Sequence, residues 1–120
     1  MGLKNKVKDL KAKAKRELLG RKIKKQISTH QTQIVRCREG NAILAKQIRG
    51  RMDQAMDQID KKKFMMARRY LTDTDKDTKQ MTRNVLEIYK RTQKVTKLAD
   101  KANEIGFVLN SGAGGGTVNF

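Results

Sequence analysis

Between residues 64 and 102, the chain follows a heptad pattern that is typical of a helix packed lengthwise against another helix. Spacings of three and four alternate there without a slip, through Phe64, Ala67, Leu71, Thr74, Thr78, Met81, Val85, Ile88, Thr92, Val95, Ala99 and Ala102. Half of these positions are Ala or Thr, which bury little apolar area, so the predicted seam stabilises weakly per residue. Further apolar residues widen the stripe and indicate more than one partner helix: Tyr70, Leu86, Tyr89, Leu98 and Ile105.

The chain contains no proline, so long helices meet no forced break. A second apolar row predicts another helix ahead of the first: Ala45, Ile48, Met52, Ala55 and Ile59. Residues 60–63 (Asp-Lys-Lys-Lys) separate the two patterns, and a short turn there folds the helices antiparallel. The sequence therefore predicts an all-α fold, a long antiparallel helical hairpin or coiled coil, with its turn near residues 60–64.

The N-terminal segment predicts a basic amphipathic helix over residues 1–27. Its apolar residues fall on one face, at Leu3, Val7, Leu10, Ala14 and Leu18. Gly20 and the Ser28 capping box are candidate interruptions of this helix, so its continuity with the hairpin stays open. We expect a hairpin over residues 28–109 and a Gly-rich tail over residues 110–120.

Charge is the strongest functional signal in the sequence. The 29 basic and 12 acidic residues give a net charge of +17, and residues 1–27 alone hold 11 basic and 2 acidic side chains. Leu, Ile, Val and Phe supply only 26 of the 120 residues. A thin core with so much positive charge indicates a helical protein that completes its burial against copies of itself or a polyanion.

We predict two sets of binding residues. Lysine and arginine side chains are expected to contact a nucleic acid or an anionic surface: Lys4, Lys6, Lys8, Lys11, Lys13, Lys15, Arg16, Arg21, Lys22, Lys24, Lys25, Lys61, Lys62, Lys63, Arg68 and Arg69. Apolar side chains of the last segment are expected to mediate self-association: Leu71, Met81, Val85, Ile88, Val95 and Leu98.

Three function classes remain open. The favoured one is a self-assembling structural protein that coats or packages duplex nucleic acid, as a nucleoprotein or virion-type coat, through sequence-independent phosphate contacts. The scarcity of aromatic residues disfavours single-strand recognition by stacking. The second is a filament subunit that binds anionic membranes through the amphipathic N-terminal helix. The third is a coiled-coil adaptor for an acidic protein partner.

Catalysis and cofactors are not expected. Cys37 and His30 are the only residues of their types, so they build neither a disulfide nor a Cys/His metal site, and no acidic residue or second histidine stands at triad-like spacing to orient them. The Asp73, Asp75 and Asp77 spacing opens like a calcium loop but lacks its glycine and final glutamate. With no secretion signal or membrane-spanning stretch, we expect an intracellular location, in cytoplasm or nucleoid, or the inside of a virion.

Residues 57–70 resemble the hairpin tip of ESCRT-III proteins. In that family a basic first helix turns at a short Lys-rich loop, and the second helix opens with an Ala-Arg-x-Tyr-like pattern, matched here by Ala67, Arg68 and Tyr70. The resemblance implies a subunit that polymerises on anionic membranes through its basic face. In size, charge and helicity, the chain is also similar to basic helical coat proteins of filamentous DNA viruses.

Overall fold

The computed structural model describes residues 2–109, which form two long helices packed as a hairpin. Helix α1 is Gly2–Asp60 and helix α2 is Phe64–Glu104, and residues 61–63 connect them. The predicted all-α helical hairpin is confirmed. The predicted Gly-rich tail, residues 110–120, lies outside the described residues.

Helix α1 runs through both sites at which the sequence offered an interruption. Near Ser28, the hydroxyl of Thr29 donates to the Lys25 carbonyl at 3.1 Å, and that of Thr32 donates to the Ser28 carbonyl at 3.0 Å. These hydroxyls bond within the helix and do not cap a new one. Gly20 is buried inside the same helix, so it is a packing position and not a break.

The packed sides of both helices follow one heptad register, whose inner positions we name the a and d rows. The a rows are Gly20, Ile27, Ile34, Asn41, Ile48 and Ala55 in α1, and Ala67, Thr74, Met81, Ile88, Val95 and Ala102 in α2. The d rows are Ile23, His30, Cys37, Leu44, Arg51 and Gln58, followed by Tyr70, Asp77, Asn84, Arg91, Leu98 and Ile105. All of these residues are buried or half-buried.

The predicted seam of α2 is therefore partly wrong. Its a row is correct, but its other row consists of e positions, of which Phe64, Leu71, Thr78 and Val85 are exposed, whereas Thr92 and Ala99 are half-buried. The predicted row in α1 errs in the same way, because Met52 and Ile59 are also exposed e positions. The sequence pattern did not predict the d rows, because many of their residues are polar and a search for periodic apolar side chains does not find them.

The residues divide into two compact units. Within the described residues, the terminal unit comprises residues 2–32 and 91–109, and the turn unit comprises residues 33–90. In the terminal unit, the buried residues Ile23, Ile27, Val95 and Ala102 form an apolar cluster. Partly buried residues pack against this cluster: Leu98, Ile105, Phe107 and Leu109. This unit therefore holds an apolar core of the usual kind.

The turn unit packs through smaller and more polar residues. Its buried positions are Ile34, Ala55, Ala67 and Thr74. The Thr74 hydroxyl donates to the carbonyl of Tyr70 at 3.0 Å, so its burial leaves no unmet hydrogen bond. Small side chains allow close approach of the helices but bury little area.

Two polar pairs join the helices within the turn unit. Arg51 and Asp77 form an ion pair, with side chains 32% and 15% exposed. The amide of Asn84 donates to the side-chain oxygen of Asn41 at 2.8 Å, and the amide of Asn41 donates to the Met81 carbonyl at 3.3 Å. Polar pairs inside a coiled-coil seam specify register at a cost in stability.

Helix α1 ends in a Schellman motif built from lysines. The N–H of Lys63 donates to the Gln58 carbonyl at 2.8 Å, and the N–H of Lys62 donates to the Ile59 carbonyl at 2.9 Å. Lys62 takes the left-handed position of the motif, with φ of 58°. A residue with a Cβ is strained in this conformation, so the backbone of Lys62 is less stable there than that of a glycine would be.

Helix α2 ends in the same motif with the usual glycine. The N–H of Phe107 donates to the Ala102 carbonyl at 2.9 Å, and the N–H of Gly106 donates to the Asn103 carbonyl at 3.0 Å. Gly106 has φ of 74°. This reversal carries the Phe107 ring onto Gly20 of α1, where an added Cβ would overlap the ring.

Candidate anionic-surface interface

The first part of α1 presents an apolar row to solvent. From Gly2 to Leu19 every side chain is exposed, including Leu3 at 82%, Leu10 at 66% and Leu18 at 69%. Val7 and Ala14 lie between them, so the five residues form a continuous row on one helix face. We call residues 2–19 the basic segment and these five residues its apolar row.

Lysines border the apolar row on both sides. Lys4, Lys8, Lys11 and Lys15 each follow a residue of the row by one position, and successive residues on a helix are about 100° apart around the axis. On its other side Lys6 and Lys13 precede Val7 and Ala14, and Asp9 and Glu17 precede Leu10 and Leu18 in the same way. The basic segment therefore combines an apolar strip with a cationic margin.

All sixteen predicted basic residues are exposed. Eleven of them lie on α1 within the terminal unit, between Lys4 and Lys25. The other five lie in the turn unit, where Lys61, Lys62 and Lys63 form the turn and Arg68 and Arg69 begin α2. Each unit thus has its own exposed basic group.

Neighbouring carboxylates offset little of this charge. Arg21 lies 3.9 Å from Glu17 and Lys61 lies 3.0 Å from Asp57, in pairs that are more than half exposed. Exposed pairs of this kind contribute about 0.2–1 kcal/mol and leave the surrounding field largely unchanged. The basic segment and the four lysines and arginines that follow it remain strongly cationic.

The residues predicted to mediate self-association fall into two groups. Met81, Ile88, Val95 and Leu98 occupy a and d positions, so they pack in the hairpin itself. Leu71 and Val85 are e positions and remain exposed. Of the six predicted self-association residues, Leu71 and Val85 are therefore the two whose side chains are exposed to another molecule.

The single histidine and cysteine lie in the d row of α1. Arg91 Nη1 is 3.1 Å from His30 Nδ1, and Cys37 is a half-buried free thiol. Within residues 2–109, no three His, Cys, Asp or Glu side chains are grouped to hold a metal ion. Neither described helix has a stretch long and apolar enough to cross a lipid bilayer.

Two features that shape this site were not predicted from the sequence: the end of α2 at Gly106 and the contact of Phe107 with Gly20. Gly106 followed by Phe107 is a helix-stop signal that the sequence pattern does contain. The contact of Phe107 with Gly20 gives no sequence signal, because it joins positions 87 residues apart in the chain. It places the end of α2 beside Gly20, and the fully exposed basic segment precedes that point.

Comparison of the chain with protein-family models, with curated proteins and with solved structures gave no match.

Proposed function

We propose that this chain is a non-enzymatic structural protein that self-associates and binds the surface of an anionic membrane through its basic segment. The observation that supports it is the exposed apolar row with a margin of four lysines, Lys4, Lys8, Lys11 and Lys15, along one side. A helix of this kind lies in the plane of the membrane interface, with its apolar face about 5–10 Å into the boundary between headgroups and acyl chains. Exposed leucines are costly in water and gain a partner there.

The energies favour a combined apolar and electrostatic contact. Fully burying a leucine or valine side chain contributes about 1.5–3 kcal/mol. A lysine near an anionic bilayer contributes about 1 kcal/mol and loses that contribution beyond a Debye length. Lys4, Lys8, Lys11 and Lys15 therefore draw the segment to the surface, and the apolar row keeps it there when salt screens the charges.

Duplex nucleic acid is the second candidate, and the number of exposed basic residues favours it. Eleven lysines and arginines between Lys4 and Lys25 provide phosphate contacts that need no base recognition. The turn residues Lys61, Lys62 and Lys63 add a second cationic group. This candidate leaves the exposed apolar row without a partner, and for that reason we place it second.

Flotation with lipid vesicles tests the proposal. We expect the full chain to float with vesicles of phosphatidylserine and phosphatidylcholine but not with phosphatidylcholine alone, at about 150 mM salt, where the Debye length is about 8 Å. Excess duplex DNA is added as a competitor in a parallel sample. Retention on the vesicles supports the membrane, whereas complete release to DNA favours the nucleic acid. Binding to neither would leave the coiled-coil adaptor.

A further inference from the structure

The turn unit presents an apolar surface that its own hairpin does not cover. In an antiparallel pair, the e positions of both helices border the same side of the seam. Eight e positions of this unit thus line one side, which we call the e face: Arg38, Ala45, Met52, Ile59, Phe64, Leu71, Thr78 and Val85. Five of its apolar side chains are 40–62% exposed: Met52, Ile59, Phe64, Leu71 and Val85.

The e face holds one charged residue, Arg38, in a chain whose residues are 34% charged. None of its other seven positions is Lys, Arg, Asp or Glu. A face that met water alone would be expected to carry charges, as the basic segment does. A face that met a polyanion would carry lysines. The uncharged stretch of this face, from Ala45 in α1 to Val85 in α2, instead fits another apolar surface of the same kind.

From this arrangement we infer that the e face binds the e face of a second copy of this chain, giving a two-fold dimer of hairpins. Each face contains one row from α1 and one from antiparallel α2. A two-fold axis parallel to the helices lays the α1 row of one copy on the α2 row of the other, which gives an isologous interface. The inference deepens the self-association included in the proposed function and does not depend on the choice of membrane or nucleic acid.

The available area reaches the lower end of specific protein interfaces. The exposed parts of Met52, Ile59, Phe64, Leu71 and Val85, with the adjoining exposed Met56, amount to at most roughly 600 Å² per copy. Complete burial in two copies gives roughly 1,200 Å² in total, the lower end of specific protein interfaces. The small and polar residues of the turn unit seam also leave that unit the more dependent on further burial.

Charge sets the salt dependence of this dimer. Two chains of net charge +17 repel each other, and salt screens that repulsion. The e face itself contains no ion pair to lose. We therefore expect the dimer to tighten as salt rises, whereas binding of the basic segment to phosphates weakens.

Sedimentation equilibrium of the full chain, without lipid or nucleic acid, tests the inference. The expected mass at high protein concentration is twice the 13.7 kDa of the chain. The variant Leu71→Glu/Val85→Glu should sediment as a monomer, with the dissociation constant raised at least tenfold. The matched control Ile43→Glu/Leu86→Glu changes two exposed apolar residues off the e face, at c and f positions, and should remain dimeric.

The added glutamates lower the net charge equally in both variants, so a difference between the variants in dimer formation does not come from net charge. If Leu71→Glu/Val85→Glu loses its helical circular dichroism, Met52→Glu/Ile59→Glu interrupts the same face from α1. A wild-type monomer at all concentrations overturns the inference. So does a dimer that survives the e-face changes, an assembly larger than two, or equal loss in the control. Failure here leaves vesicle flotation by the basic segment unaffected, so the two proposals fail separately.

Discussion

The ring of Phe107 packs directly over Gly20 and takes the space that a side chain would fill. Gly106 turns the chain at the end of α2 and brings the ring to that point. The aromatic ring also joins the apolar cluster around Ile23 and Val95. The contact thus anchors the end of α2 on α1 at the point where the exposed basic segment of α1 ends.

A double-mutant cycle tests this contact. Gly20→Ala should lower the free energy of unfolding by about 1–3 kcal/mol, because the methyl group displaces the Phe107 ring. In a Phe107→Ala background the same change should instead raise stability by up to about 1 kcal/mol, the ordinary helix preference of Ala over Gly. Urea unfolding followed by circular dichroism measures all four proteins.

Gly50→Ala is the matched control for that cycle. Gly50 lies in the same helix and is exposed, and an added Cβ there meets no atom within 4 Å. We expect it to raise stability by about 1 kcal/mol in both backgrounds. If Gly20→Ala behaved like Gly50→Ala in the wild-type chain, the ring would not occupy that position.

Lys62→Gly should stabilise the hairpin. Lys62 has the left-handed backbone that costs a residue with a Cβ about 1–2 kcal/mol, and glycine adopts it without strain. We expect a gain of about 1 kcal/mol in chemical unfolding, since glycine also loses more chain entropy on folding. Lys63→Gly removes the same charge outside the left-handed position and should give no gain. Equal effects at the two lysines would contradict the turn geometry.

Removing one partner of the Arg51–Asp77 pair should lower the free energy of unfolding, whereas replacing both partners by apolar residues should change it little. Asp77→Leu leaves the half-buried guanidinium of Arg51 without its carboxylate, and we expect a loss of about 2 kcal/mol. Arg51→Leu/Asp77→Leu places two apolar side chains in the d rows and should recover most or all of that loss. Thermal and urea unfolding of both variants measure the difference. A double variant less stable than Asp77→Leu would show that the pair contributes net stability.

The sequence was sufficient to predict the hairpin, its turn lysines and the amphipathic first segment, because each produces a local pattern. It was misleading about the seam, since the apolar e row resembles a packing row better than the true d row does. Asp77, Asn84 and Arg91 pack in α2 only because Arg51, Asn41 and His30 face them from α1. Such pairing depends on the register of two helices, which no pattern within one helix records.

Vesicle binding of two charge-matched variants tests the membrane proposal most directly. Leu10→Glu/Leu18→Glu interrupts the apolar row, whereas Asn5→Glu/Ala12→Glu adds the same two charges to the exposed opposite face of the segment. With anionic vesicles at about 150 mM salt, where charges are screened beyond about 8 Å, we expect the row variant to bind at least tenfold more weakly than wild type. The opposite-face variant should keep most of its affinity. Equal losses in the two variants would show that charge alone drives binding and would contradict insertion of the apolar row.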